Sequence, residues 1–397
     1  MASSDVIVIG AGIVGAACAH RLSAEGLSVV VIDRGAPGGG TTAHGEGNIL
    51  VSDKGPGPEL ELAQRSIVLW REFAESFAKS KDDCFPSIEY EAKGGVVVST
   101  TDEGTAGLRS FAALQRDSGV DAEELGADRI RELEPWLSPD AQFAVHYPED
   151  AQVQPVIAAE AMLASARRSG ARVVVGEEVV SSVVDEYGRL RGVRTDRDEF
   201  RARTVVLAAG PRSGDVATLF GASLPVLPRR GMILVTARMP RRVLHKVYDA
   251  DYVSAVSSDD AVLQTSTVVE STASGTVLIG SSRERVGYDD RLRTQVLSAI
   301  AAKATRLFPF LADTQVIRSY GGFRAYMPDH LPVIGPDPGI EGLWYAVGHE
   351  GAGVGLAPAT AELLTDLITG DSPSVDPKSF DPRRPSLAPF VGGRSAS

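Results

Sequence analysis

Residues 5–10 (DVIVIG), apolar without a break from Val6 to Ile9, predict a buried strand. A helical apolar pattern follows, and then a second apolar strand, SVVVID, closes on Asp33. From about Pro58 the residues Ala63, Ile67, Trp70, Ala74 and Phe77 recur at spacings of four and three, which predicts an amphipathic helix with a core-facing stripe. Further along, the pattern predicts a strand at 94–99, helices at 105–118 and 155–169, and strands at 171–175, 179–184 and 204–209. Residues 227–280 alternate and are rich in β-branched side chains, the pattern of an antiparallel sheet. A helix is expected over 289–308 with Leu292, Val296 and Ile300 on one face, and a last helix up to Thr369, stopped by Gly370. Prolines 373, 377, 382, 385 and 389 predict an extended or disordered tail.

The first strand runs straight into Gly10, Gly12 and Gly15 in GxGxxG spacing, with Ile13 and Val14 between them. Gly10 permits the tight turn, Gly12 lets backbone approach a pyrophosphate, and Gly15 lets helix and strand pack closely. Asp33, followed by Arg34, falls about twenty residues later, where an acid takes ribose hydroxyls. The alternative, a signal peptide or anchor, lacks a basic leader and is interrupted by glycines.

After Asp33 comes RGAPGGGTTAHGEGN, too rich in glycine for regular structure and long enough to carry function. TVVLAAG, ending in Ala208, Ala209 and Gly210, reads as a late strand returning to the first sheet. That discontinuity favours FAD over NAD, because a nicotinamide enzyme would continue with βαβ repeats directly after Asp33.

Near the C-terminus, GHEGAGVGLAPAT places a glycine-rich turn and a helix start after a strand at 343–347. Gly348, His349, Glu350, Gly351, Gly353 and Gly355 lie in this stretch. A proline is tolerated in a first turn, so Pro358 predicts a helix start within a few residues before it. Such a helix end is a fixed positive partner for charge on a reduced flavin. Between the antiparallel region and this turn, Arg324 is the sole cation among Tyr320, Phe323, Tyr326 and Met327. A guanidinium there suits bidentate capture of a carboxylate; the alternative is a salt bridge to Asp329.

At 397 residues the chain can bury two domains' worth of core. Its net charge of −12 disfavours nucleic acid, and no apolar run is long enough to span a bilayer. Cys18 and Cys84 have no metal-ligand spacing and read as buried thiols in a reducing cytoplasm, and no metal is expected. Arg229, Arg230, Arg238, Arg241, Arg242 and Lys246 form one basic group, read either as a solvated face or as a docking surface for another subunit.

These motifs, with the GxRxxxxDxxPxIG pattern at 322–335, resemble the FAD-dependent family of D-amino acid oxidase, glycine oxidase and sarcosine oxidase over residues 3–370. The stretches HGEGNILVSDKGPGPELELA and GSSRERVG look closest to flavin β subunits of opine, D-hydroxyproline and cyanide-forming glycine dehydrogenases. The resemblance implies an α/β fold: a Rossmann-like FAD-binding domain assembled from 1–85, 150–218 and 326–372, and an α+β substrate domain, mostly antiparallel, from 86–149 and 219–325. Residues 373–397 would be a Pro-rich tail. It further implies that Arg324 holds the substrate carboxylate, that Val179 contacts the adenine end, and that Gly40, Thr41, Thr42, Gly47 and Asn48 face pyrophosphate or isoalloxazine.

Two departures shape the expected activity. Monomeric sarcosine oxidase carries its flavin on a cysteine near the position of Arg324 and an oxygen-activating lysine after the strand matching residues 276–280. Here no cysteine lies beyond Cys84 and no lysine lies between Val247 and Ala302. Noncovalent FAD and a dehydrogenase are therefore expected, acting on a carboxylated amine, with Tyr252 or Tyr326 closing the pocket and a partner subunit or homo-oligomer possible in principle. The rivals are a 2-hydroxy-acid dehydrogenase and an electron-relaying flavin subunit.

Overall fold

The computed structural model describes residues 3–80, 87–250 and 261–391. Strands β1 (Ser4–Ile9) and β2 (Val29–Asp33) pair in parallel at the centre of an eight-stranded sheet. Its order is β17 (Val333–Pro336), β18 (Leu343–Val347), β11 (Glu199–Leu207), β1, β2 and β8 (Arg172–Val175). A hairpin of β9 (Val179–Val184) and β10 (Leu190–Thr195) branches from β11. Three distant stretches of chain therefore build one sheet.

Alternation along β1 explains why Val6 to Ile9 are all apolar. Val6 and Val8 enter the core under helices α1 (Ile13–Ala24), α2 (Pro58–Ser80), α5 (Pro155–Arg168) and α8 (Gly353–Thr369). Ile7 and Ile9 enter the core on the opposite face. From Val6 to Ile9 neither face of the strand meets water.

The second sheet also has eight strands: β16 (Val316–Tyr326), β12 (Leu227–Thr236), β15 (Val277–Arg283), β14 (Gln264–Ser271), β13 (Lys246–Asp249), β4 (Gly95–Ser99), β6 (Phe143–Tyr147) and β5 (Glu123–Gly126). It is antiparallel apart from the β13–β4 pair. Val96, Val98, Met232, Leu234, Val247 and Ile279 lie in one cluster behind it with helix α7 (Thr294–Leu307). The short ladder of β3 (Asn48–Ile49) and β7 (Ala151–Gln152), and helices α3 (Asp102–Asp117), α4 (Ala127–Leu133) and α6 (Ser213–Thr218), complete the fold.

Four expectations are corrected. Helix α7 starts at Thr294 because Asp289 holds a turn, accepting from the Arg291 N–H at 3.2 Å and facing Arg230 at 3.2 Å, and Leu292 is 44% exposed. Pro358 lies inside α8, which begins at Gly353. The proline-rich segment is packed: Phe380 and Leu387 are fully buried, and Arg384 pairs with Asp329 at 2.6 and 2.9 Å. The basic group is split: Arg229, Arg230 and Lys246 are each 1% exposed, Arg230 and Lys246 facing the buried carboxylates of Glu284 and Glu270 and Arg229 the partly buried one of Glu350. No helix among the described residues is long and apolar enough to cross a membrane.

Candidate functional site

Gly10 takes φ +111°, where a Cβ would overlap the Ala208 carbonyl, and a Cβ on Gly15 would overlap the Gly10 carbonyl. Only glycine fits either position. The resulting turn opens α1 with no acid in its first turn, and its Ile13 N–H donates to Thr42 Oγ1 at 3.0 Å. Asp33 is fixed at the end of β2, accepting from the Ala11 N–H at 2.7 Å and the Gly35 N–H at 2.8 Å. Each carboxylate oxygen keeps acceptor capacity for a hydroxyl. Arg34 is solvent-facing and pairs with Glu178 at 3.6 Å, and Val179 is buried beside it at the start of β9.

The glycine-rich loop joins the two sheets. Gly40 precedes a short helical turn at Thr41–His44, and Thr41 Oγ1 donates to the Phe323 carbonyl on β16 at 2.6 Å. Gly47, at φ +89°, lets the loop pass against the Val153 carbonyl. Ala208 and Ala209 follow directly on the returning strand, and Gly210, at φ +56°, lies near Thr41 Oγ1.

The C-terminal turn closes on the same loop. Gly348 and Glu350 both take positive φ, and Glu350 receives His330 Nδ1 at 2.8 Å and Arg229 at 3.3 Å. His349 points inward to Thr360 Oγ1 at 2.9 Å, and burial alone pushes its pKa down to about 3. It is therefore a neutral latch between the turn and α8. Helix α8 starts with no side-chain cap and no acid in its first turn, Gly353 approaching Val14 and Gly355 lying 3.1 Å from the Asn48 carbonyl at its would-be Cβ.

The face of the second sheet turned toward this loop carries glycines where side chains would block it. Gly231 and Gly322 pair across β12 and β16, and Gly280 lies on neighbouring β15. A Cβ on them would overlap the Arg324 guanidinium, His44 and Glu46 respectively. Arg324 passes between Gly231 and Gly351 and donates to the Ser282 carbonyl at 2.9 Å. The Asp329 alternative is overturned, since Arg384 takes that carboxylate. Tyr326 is 2% exposed, with Arg229 at 5.5 Å and Arg285 at 4.8 Å over its ring, so it lies beneath the cationic cluster. Tyr252 and Cys84 lie outside the described residues.

Glu46, Glu270 and His330 carry no signal of their own in the sequence, and Arg229 and Lys246 stand there only in the basic group; here Lys246 joins Glu46 and Glu270, and Arg229 and His330 join Glu350. A usable signal is the unusual occurrence of glycine within the strands β12 (Gly231), β15 (Gly280) and β16 (Gly321 and Gly322). Lys246 donates to Asn48 Oδ1 and lies 3.3 Å from Glu270, whose pKa burial raises.

Two helix starts with no acid in the first turn, a glycine turn between strand and helix, and a carboxylate with acceptor capacity left for a ribose hydroxyl fit FAD, and together they define a flavin-nucleotide-binding protein. The chain belongs to the DAO family, described as FAD dependent oxidoreductase, which matches residues 5–367. It is an FAD-dependent oxidoreductase. It is 30% identical over 385 residues to glycine oxidase of Pseudomonas aeruginosa, covering 96% of this chain and 99% of that protein. To the hydrogen cyanide synthase subunit HcnC of Pseudomonas protegens it is 29% identical over 423 residues, covering 97% of each. In fold it matches L-proline dehydrogenase from P. horikoshii with a TM-score of 0.86 at 23% identity, covering 96% of this chain and 97% of that one. Glycine oxidase from Geobacillus kaustophilus matches with a TM-score of 0.85 at 24% identity over 100% of both.

Proposed function

We propose that this chain oxidises the carbon–nitrogen bond of an amino acid or N-substituted amino acid, with Arg324 binding the substrate carboxylate. The observation that carries the reading is a guanidinium threaded between Gly231 and Gly351 on the sheet face turned to the cofactor loop. Bound FAD supplies the hydride acceptor. The protein's own task is to orient the substrate's α-carbon and to exclude competing water. Arg324 fixes one end of the substrate, the Ser282 carbonyl holds that guanidinium in place, and the imine product hydrolyses in water.

The first sheet would hold FAD through Gly10, Gly12, Gly15, Asp33, the 40–48 loop, Val179, residues 208–210 and the 348–355 turn, and the second sheet would hold substrate. Noncovalent attachment is supported by Cys18, the one cysteine among the described residues, being on the buried face of α1 with its thiol pushed up to about 12. A dehydrogenase is favoured over an oxidase because Lys246, which reaches the loop at Asn48, is also engaged by Glu270. Relatedness to a protein named as a synthase subunit supports a second reading in which this chain works beside a partner subunit.

The test is an anaerobic screen of amino acids, N-alkyl amino acids and 2-hydroxy acids, following loss of flavin absorbance. Bleaching by amines supports the proposal; bleaching by hydroxy acids alone overturns it.

A further inference from the structure

We propose that Glu46 is the amine-recognition residue of this site, forming with Arg324 a two-ended cradle for a zwitterion. The inference rests on the reading of Arg324 given above. Glu46 is 8% exposed, and its Oε2 accepts from Asn48 Nδ2 at 3.2 Å. Its Oε1 is buried and has no hydrogen-bond partner. Buried carboxylate oxygens are rarely left unmet, because nothing then replaces the water lost on burial.

The unmet oxygen lies over Gly280, one of the sheet's three bare positions. Two residues along the same strand, the Ser282 carbonyl anchors the Arg324 guanidinium. The two anchor points therefore sit two residues apart on one strand, which suits a substrate carrying its carboxylate and its amine on adjacent atoms. Lys246 does not fill the vacancy: it lies 4.0 Å from Glu46 Oε2 but 3.3 Å from Glu270, and is hydrogen-bonded to Asn48. Tyr320, pairing with Ile233 on the same sheet, lies close enough for Glu46 to raise its pKa further after burial has done so, and it walls the position. A substrate N–H donated to Oε1 would complete the hydrogen bonding of Glu46, and a protonated amine would do so most strongly.

The experiment uses the FAD-loaded full chain and two probes of equal shape that have no α-hydrogen and cannot be oxidised. The first, 2-aminoisobutyrate, carries the amine; the second, pivalate, carries a methyl in its place. Affinities are read by flavin spectral perturbation and by calorimetry. The wild type should bind 2-aminoisobutyrate at least tenfold more tightly than pivalate. Glu46→Gln should erase most of that preference and leave pivalate unchanged, whereas Arg324→Ala should weaken both. Should Glu46→Gln fail to fold, Glu46→Asp carries the test and must cut the preference at least threefold. Equal weakening of both probes by the Glu46 variants, or no change, overturns the role of Glu46 while leaving that of Arg324 standing. Absence of saturable binding of either probe to the wild type removes both.

Discussion

Arg324 was legible from the sequence as a lone cation among apolar neighbours, but its two candidate partners were not separable there. The structure separates them because Arg384, sixty residues on, reaches Asp329 first. Removing the guanidinium by Arg324→Ala should raise KM for a carboxylated amine by about ten- to a hundredfold, the range of a charge-assisted pair of about 1.5–3 kcal/mol. Steady-state kinetics with and without a substrate carboxylate check this. Two other residues set opposite pH trends. His349, with its pKa driven from 6.5 down to about 3 by burial, is most favourable to folding above pH 6.5 and loses that contribution as pH falls toward 3. Asp150 is fully buried, accepting from the Val51 N–H at 2.9 Å and from Ser52 Oγ, and burial raises its pKa from 3.8 to about 7. Its contribution is fully present below pH 3.8 and is lost as pH rises through 7. Denaturant melts across pH should therefore show Asp150→Asn gaining on the wild type from pH 4 to 8. His349→Gln should instead gain as pH falls from 6.5 to 4, each with a limiting slope of about 1.4 kcal/mol per pH unit.

Helix α8 shows how an element's tolerance depends on a neighbour. Pro358 has no N–H to give the Val354 carbonyl, and in a helix interior that costs about 3 kcal/mol. Trp70 Nε1 on α2 fills the gap, donating to the Val354 carbonyl at 3.0 Å and the Gly355 carbonyl at 3.2 Å, and Ser66 Oγ donates to the latter at 2.5 Å. The stripe on α2 was read correctly as core, yet its role as a donor to a broken helix was not visible, because no local pattern links residue 70 to residue 354. Trp70→Phe should cost about 1–3 kcal/mol, measured as a loss of melting temperature. Pro358→Ala in the Trp70→Phe background should recover part of it, and a double-mutant cycle with no coupling would refute the account.

Across the whole molecule, what was legible followed from short-range constraint: glycines that a turn demands, apolar runs that a two-faced sheet demands, and the return of a late strand at residues 204–207 to β1. What was missed is long-range charge pairing. Arg229, Arg230 and Lys246 looked like surface because their carboxylate partners, Glu350, Glu284 and Glu270, lie far along the chain or on another strand. The C-terminal segment is the same case. Its prolines suggested a solvated tail, but they rigidify a strap whose Phe380, Arg384 and Leu387 are buried against the body. Arg384 also donates to the Leu331 carbonyl at 2.7 Å and the Pro332 carbonyl at 2.9 Å, fixing the segment that carries His330 to Glu350. Breaking a buried ion pair from one side leaves the other charge stranded at a cost of about 3–5 kcal/mol. Arg384→Ala should accordingly lower the melting temperature by many degrees, and the double variant Arg384→Ala with Asp329→Ala should be less destabilised than the single one. Deleting residues 377–397 should do as much damage as Arg384→Ala or more, because it also uncovers the apolar sites filled by Phe380 and Leu387. A truncated protein that melts with the full chain and retains FAD equally well would show that the strap contributes nothing to holding the two sheets around their shared site.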